Sequence, residues 1–455
     1  MEELVKKAQQ LAEFLKKEEE ILIVTHIDAD GITSGAIAYR SLERAGKDVE
    51  IRFVKSLDES EIEKIADENI FVWFTDLGSG QIGAIKERIS DFIVSDHHVP
   101  DAITDNQLNP HIFGYDGSYE LSGSTTTYLV ARVLGLNHDL VSTAIVGAVG
   151  DLQDSNYGRL VGLNRKVLRE GEANGFIEAR KDIRFFGKQT RPVFKMLEYT
   201  FDPYLPGISG NENGAVEFLN SINIRLKNGD NWLRWIDLTA EEKKRITSEI
   251  IKILIANNYP FSLIMRMVGE SYILLDEPEG TELRDAMEFS TLLNATARYG
   301  QEEVGLAVCL GDRGEGYRRA KSLLQNHRRN LSDGLRLVDE IGIVELENIQ
   351  YFHAGKKILD TIIGIVAGMS YSFANRNKPV IAFAENEDGI KVSARATKDL
   401  VEKGVHLAQA IKLAAERVGG AGGGHSIAAG ATIPKGSEDE FLRILDRIVG
   451  EQLLS

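Results

Sequence analysis

Short apolar runs alternate with segments of helical periodicity along the first third of the chain. The runs ILIVT (21–25), VEIRFV (49–54), FVWFTD (71–76) and FIVSD (92–96) are rich in β-branched and aromatic residues and predict strands. Between them, ITSGAIAYRSLERAG (32–46) and SEIEKIADE (60–68) predict helices, the first closed by Gly46. Strands that alternate with helices pair in parallel, because each helix carries the chain back to start the next strand, so an open α/β sheet is expected. Further helices are expected at 123–135 and 139–150, followed by a polar, glycine-rich stretch from Asp151 to Gly162.

The pattern breaks near residue 201. FDPYLPGISGNENG is a turn-rich entry, and Thr239 with Glu242 makes a capping box for a helix ending near Ala256. The expected organisation is a parallel-sheet α/β domain over 1–200, an inserted α+β module over 201–280, the end of the first domain with a connecting helix over 281–340, and a smaller α/β domain over 341–455. In the last part GIVAGMSYSFANRN predicts a helix, PVIAFAE and GIKVSARA strands, and LAQAIKLAAERVGG a helix, with AGGGHSIAAGATIP and one last helix behind it. Residues 311–330 carry six Arg or Lys against two acids. Such a run is ordinarily a solvated helix face, and its clustering also admits a nucleic-acid contact.

Composition narrows the chemistry. With 53 basic and 69 acidic residues the net charge is −16, so any polyanion must be held by a local basic patch or a metal rather than by a sequence-wide field. The single cysteine, Cys309, excludes an internal disulfide and a cysteine-built metal site. The longest apolar stretch, 362–369, is far short of the ~18 residues a membrane span needs. The opening MEELVKKAQQLAEFLKKEEE is charged and amphipathic, without the apolar centre of a signal peptide. A soluble cytoplasmic protein with no membrane contact is expected.

Several predicted element ends deliver acids or imidazoles: His26, Asp28 and Asp30 after the first strand, Asp76 after the third, Asp96-His97-His98 after the fourth, and Asp151 after a helix. In open parallel sheets ligands bind beyond the carboxyl ends of the strands, so these groups can converge. His26, Asp28 and Asp30 are expected to project to a common side of an extended turn. One such aspartate alone usually caps a helix or turn. So many carboxylates together repel one another unless a cation lies among them, and the mixture of oxygen and imidazole ligands suits Mn²⁺ or Mg²⁺. The number of ligands is better used by two ions sharing a carboxylate, the arrangement that hydrolyses phosphate esters.

In order and spacing, HIDADG, the aspartate of FTD, SDHH and the aspartate of GAVGD resemble the four motifs of the DHH phosphoesterase superfamily. AGGGH and SARA resemble the glycine-rich motif and phosphate strand of that superfamily's DHHA1 domain, and NATARYG (294–300) with the long helix after it resembles RecJ-type exonucleases. The insertion on a compact core resembles the archaeal RecJ group that includes the GINS-associated nuclease. The resemblance implies one metal on Asp28 and Asp76 with His26, a second on Asp30, Asp76, His97 and Asp151, Mn²⁺ before Mg²⁺, and Asp96 orienting His97. His98 would stand at the scissile phosphate. Ser393 and Arg395 would hold the strand's terminal phosphate, with Gly422, Gly423, Gly424 and His425 beside it, and Arg298 would hold a backbone phosphate. The motif-one histidine departs from many RecJ members. The implied function is a single-strand-specific 5′-to-3′ exonuclease acting on DNA, or RNA, in replication and repair, with the insertion docking GINS. Rival readings are a nanoRNase, a 3′-phosphoadenosine phosphatase or a cyclic-dinucleotide phosphodiesterase, and a non-catalytic replication scaffold.

Overall fold

The computed structural model describes residues 2–387 and 389–454, and the chain divides into two compact units at Leu324. In the first, β1 (Glu20–His26), β2 (Asp48–Val54), β3 (Phe71–Thr75), β4 (Phe92–Ser95) and β5 (Gln107–Leu108) form a wholly parallel sheet in the order β2-β1-β3-β4-β5. Period-two alternation sends Ile21, Ile23, Trp73 and Ile93 into one apolar cluster and Leu22, Val24, Phe74 and Val94 into another. Burial on both faces is what makes these strands read as unbroken apolar runs. The strand order turns at β1, which has β2 on one side and β3 on the other. The crevice beyond the carboxyl ends of β1 and β3 is therefore a topological switch point, where ligands bind in such sheets.

The helix Ala29–Arg44 begins three residues ahead of its apolar periodicity, because the Asp28 side chain caps it by accepting the Gly31 amide at 3.0 Å. The helix Gly123–Leu134 is buried at every position from Gly123 to Ala131, and Val141–Gly150 runs as expected into Asp151. The segment 281–340, expected to end the first domain and carry a connecting helix, holds the helices Ala286–Arg298, Glu302–Cys309 and Glu315–Ile341, the last crossing the division between the units.

An antiparallel ribbon interrupts this unit: β6 (Ile177–Ile183) pairs along its whole length with a strand at Val268–Leu274, Ile183 opposite Val268. Between them lie four helices and a small hairpin of β7 (Lys227–Asn228) and β8 (Asn231–Trp232), so the Val268–Leu274 strand is β9. They enclose a separate apolar cluster that includes Ile183, Phe185, Leu197, Phe218, Trp235, Ile250 and Met267. The Thr239–Glu242 capping box heads the helix Ala240–Ala256. Trp235 is buried with its indole N–H donated to Asp182 at 2.9 Å, whereas Trp232 lies 45% exposed against Phe194.

In the second unit β10 (Val344–Glu345), β11 (Gln350–His353), β12 (Val380–Asn386), β13 (Gly389–Arg395), β14 (Ala421–Gly424) and β15 (Ala428–Ile433) form one sheet in the order β10-β11-β12-β13-β15-β14. Only β11 and β12 pair in parallel. One predicted element differs. The α-helix expected over 364–377 ends at Met369, and the buried Gln350 side chain fixes the chain beyond it, accepting the Asn375 amide and donating to the Asn375 and Lys378 carbonyls. The glycines of AGGGH form an edge strand, β14. No helix among the described residues is long and apolar enough to cross a membrane.

Candidate metal centre

The carboxyl ends of β1, β3 and β4 bring the predicted acids and imidazoles to one place. His26 closes β1, and its Nδ1 is 3.1 Å from Asp28 Oδ2 and 4.0 Å from Asp76 Oδ2. Asp30 does not lie in an extended turn with them as expected. Capping by Asp28 starts the helix at Ala29, so Asp30 sits in its first turn and accepts the amides of Gly123 and Ser124 at 2.7 and 3.0 Å. Asp76 follows β3 with a left-handed backbone, φ 58°, and is 2% exposed. Its Oδ1 is 3.3 Å from His97 Nε2. His97 Nε2 is 3.9 Å from Asp30 Oδ2, and its Nδ1 is 3.7 Å from Asp151 Oδ2. Among the described residues, three sets have ligand atoms mutually within 4.8 Å: His26, Asp28 and Asp76; Asp30, His97 and Asp151; Asp76, Asp96, His97 and His98.

Contrary to what the resemblance implies, the Asp96 carboxylate does not hold the His97 ring. It accepts the His98 ring nitrogen Nδ1 at 2.8 Å, the His97 amide at 2.7 Å and the Ser79 amide at 2.9 Å. The His97 ring is held instead by the Gly117 carbonyl, 2.7 Å from Nδ1, which leaves Nε2 facing Asp76.

Charge is concentrated here in a confined space. Burial raises the Asp76 carboxyl well above its ordinary range, and the neighbouring Asp30, Asp28, Asp96 and Asp151 add to that. Burial likewise pushes Asp151 up to about 6. Desolvation opposes ionisation of Asp28, yet the His26 hydrogen bond and charge and the Gly31 amide hold it at about 2. Burial also opposes protonation of His97, but Asp151, Asp30 and Asp96 overcome it and push His97 up to about 9. His98 is raised mainly by its bond to Asp96. Asp76 Oδ1 is buried with no hydrogen-bond partner. An acceptor in that state, amid carboxylates and imidazoles, is what an oxygen- and nitrogen-preferring divalent cation fits.

Residues outside the predicted ligand and binding positions hold this set in place. Gly123 lets the helix Gly123–Leu134 start against the site, since a Cβ there would lie 2.1 Å from Asp76 Oδ1. Gln153 donates Nε2 to Asp151 Oδ2 at 2.8 Å and to the Gly117 carbonyl at 2.7 Å. Asn294, within NATARYG, accepts the Ala29 amide at 3.0 Å. The small polar run Ser-Gly-Ser-Thr-Thr before an apolar segment was the available signal for Gly123, because a helix start pressed on a buried site excludes larger side chains.

Arg298 ends the helix Ala286–Arg298 half-buried, where desolvation lowers its pKa and the charge of Asp28 partly offsets this. The remaining predicted groups belong to the second unit. Ser393 and Arg395 share one face of β13, both against the helix Ile363–Met369. A Cβ on Gly364 would lie 2.4 Å from Arg395 Nη2 and 3.2 Å from Ser393 Oγ. Gly422, Gly423 and Gly424 lie on β14 and exposed His425 follows, its amide donated to Ala428. A Cβ on Gly424 would strike the Ala428 carbonyl, whereas at Gly423 it would meet open space.

A parallel sheet with acids and imidazoles at its switch point, followed by a mixed-sheet domain, defines the class of the DHH phosphoesterases. Residues 20–149 match the DHH family N-terminal domain, 185–268 the DHH-CID domain and 348–451 the DHHA1 domain. An uncharacterized protein of Methanocaldococcus jannaschii is 36% identical over 444 residues, covering 95% of this chain and 94% of its own. The chain belongs to the DHH/DHHA1 phosphoesterase superfamily. RecJ from Thermus thermophilus, solved with Mn²⁺, superposes with a TM-score of 0.61 at 16% identity over 98% of this chain, which spans 55% of that longer protein. An exonuclease RecJ bound to manganese gives 0.58 at 16% identity over 98% and 94% of the two chains. Cdc45 from Entamoeba histolytica gives 0.66 at 12% identity over 97% of each. At these identities the likeness is one of fold.

Proposed function

We propose that this protein is a two-metal, single-strand-specific exonuclease of RecJ type that removes mononucleotides from the 5′ end of DNA, in replication or repair. The observation that carries the reading is Asp76: a buried carboxylate with an unpartnered oxygen, set between His26 with Asp28 on one side and Asp30, His97 and Asp151 on the other. His26, Asp28 and Asp76 would hold one ion, and Asp30, Asp76, His97 and Asp151 the other, with Mn²⁺ preferred and Mg²⁺ accepted. Divalent ions bound there supply Lewis acidity toward the phosphoryl oxygens and lower the pKa of water. The chain's own residues do the rest. Asp96 fixes the His98 ring through Nδ1 and raises its pKa, so the exposed imidazole turns Nε2 toward a phosphate oxygen or leaving group. Ser393 and Arg395 bind the strand's 5′-phosphate, Gly422, Gly423, Gly424 and His425 line that pocket, and Arg298 takes a backbone phosphate. The inserted module docks GINS, with Trp232 on its exposed hairpin as an anchor.

End-labelled single-stranded DNA and RNA of graded length, incubated with Mn²⁺ or Mg²⁺, tests this reading. Mononucleotides released from 5′ ends of long strands are expected. Cleavage confined to dinucleotides would move the assignment to a nanoRNase-type or cyclic-dinucleotide enzyme, and no cleavage with either ion would leave a scaffold.

A further inference from the structure

The loop from Asp151 to Gly162 carries a proposed ligand, and the root of the inserted module grips it from outside. Asp154 is 2% exposed, and its Oδ2 accepts Arg184 Nη2 at 2.7 Å; Arg184 is the first residue after β6. The Gly158 carbonyl accepts the Glu270 amide of β9 at 2.8 Å, and the Leu160 amide donates to the Tyr272 hydroxyl, also on β9, at 2.6 Å. The approach is close enough to need glycine at 269, where a Cβ would lie 2.2 Å from the Gly158 carbonyl oxygen and 2.6 Å from Arg184 Cδ. On its inner side the same loop reaches two ligands. Gln153 bonds both Asp151 Oδ2 and the Gly117 carbonyl, and that carbonyl also faces His97 Nδ1 at 2.7 Å.

A buried ion pair adds little net stability, because desolvating both charges offsets most of their attraction; what it supplies is fixed geometry. Asp154 and Arg184 fix the loop three residues from Asp151. Tyr272 and the Glu270 amide fix it again beyond Gly158. We propose that the root of the inserted module, Arg184 together with β9, positions the Asp151 loop and so completes the metal centre. The inference rests on the metal reading above. Arg184 and Tyr272 are positioning residues that act through Asp151 and His97.

Mn²⁺ calorimetry on the full-length protein, paired with thermal unfolding in EDTA, separates this role from ordinary stabilisation. Arg184→Met and Tyr272→Phe should each weaken Mn²⁺ binding by about 10–100-fold while the metal-free variants are still folded, as loss of an outer contact to a ligand does. Arg184→Lys should recover part of the loss, and in an Asp151→Ala background each variant should cost clearly less than it does in wild type, since only the route through His97 is left. A lower unfolding temperature with Mn²⁺ affinity unchanged would overturn the proposal, as would an equal loss in the Asp151→Ala background. Should Arg184→Met fail to fold, the milder Tyr272→Phe decides alone. Wild-type protein that binds no Mn²⁺ would bring down the metal reading and this inference with it, whereas wild-type binding matched by the variants removes only this inference.

Discussion

Asp76 concentrates the site's conflict in one side chain, since its ionised form is desolvated and faces four other carboxylates. Asp76→Asn keeps the shape and removes the repulsion. The metal-free variant should therefore unfold at the same or a higher temperature than wild type, while cleavage falls below detection and Mn²⁺ no longer raises the unfolding temperature. A Mn²⁺ response like that of wild type would remove Asp76 from the ligand set. The same crowding sets a pH dependence. His97, raised to about 9, stabilises the metal-free fold below its unfolded value of ~6.5 and loses that contribution as pH rises through about 9. Asp151, raised to about 6, costs stability as pH climbs from its unfolded value of ~3.9. Both trends weaken the empty site as pH rises, and a cation must displace the His97 proton, so the Mn²⁺-induced rise in unfolding temperature should be larger at pH 8.5 than at pH 5.5. Calorimetric scans at the two values check the sign, and a shift that shrinks with pH contradicts it. In the second unit, Arg395→Ala should weaken 5′-phosphorylated oligonucleotides more than 5′-hydroxyl ones, with Arg395→Lys a poor substitute because only the guanidinium fork binds phosphate bidentately. Equal losses on both substrates would take Arg395 out of that role.

Helix starts and strand ends do the positioning at the next scale. The helix Gly123–Leu134 points its first amides at Asp30 and presses Gly123 against Asp76. Gly123→Ala should cost about 1–3 kcal/mol through overpacking, because a Cβ there overlaps a carboxylate the fold holds in place. Mn²⁺ affinity should drop with it, and an alanine variant with wild-type stability and binding would show that the helix start yields. Elements were legible where burial is two-sided or amphipathic, as in β1, β3 and β4 and the capped helix at Thr239. The ribbon was not: β6 reads IEARKDI, half-exposed and polar, and it is a strand because β9 pairs with it from some ninety residues away. The acids and imidazoles announced themselves at apolar run ends. Gly117, Gly123, Gln153 and Asn294 did not, since a carbonyl's direction or a helix start's closeness leaves no periodicity to read. The same blindness assigned Asp96 to the His97 ring, when backbone geometry gives that ring to Gly117.

At the scale of the whole chain, all of the predicted site residues lie outside 201–280, so the sequence alone presents the inserted module as chemically dispensable, and a Gly/Ser linker in its place as leaving cleavage nearly intact. That segment contains β9, with the Glu270 amide and the Tyr272 hydroxyl that grip the Asp151 loop. Replacing 201–280 should therefore lower Mn²⁺ affinity as well as abolish GINS binding. Trp232→Ala, on the exposed hairpin, should lower GINS affinity by tenfold or more, about 1.4 kcal/mol, with Mn²⁺ binding unchanged. Titrating both variants against GINS and against Mn²⁺ separates docking from site assembly. A linker variant that binds Mn²⁺ like wild type would restore the view of the module as an appendage.

The left-handed backbone at Asp76 carries one further consequence. Among residues with a side chain, aspartate and asparagine are the ones that visit this region routinely, because their short polar groups bond locally. In the genetic code every aspartate codon becomes an asparagine codon by one G-to-A transition. A single transition would thus yield a protein that keeps the turn and sheds the buried charge, so the asparagine form is a mutational neighbour that should place no burden on the fold. Lineages that give up catalysis while keeping this architecture have a one-nucleotide route at this position.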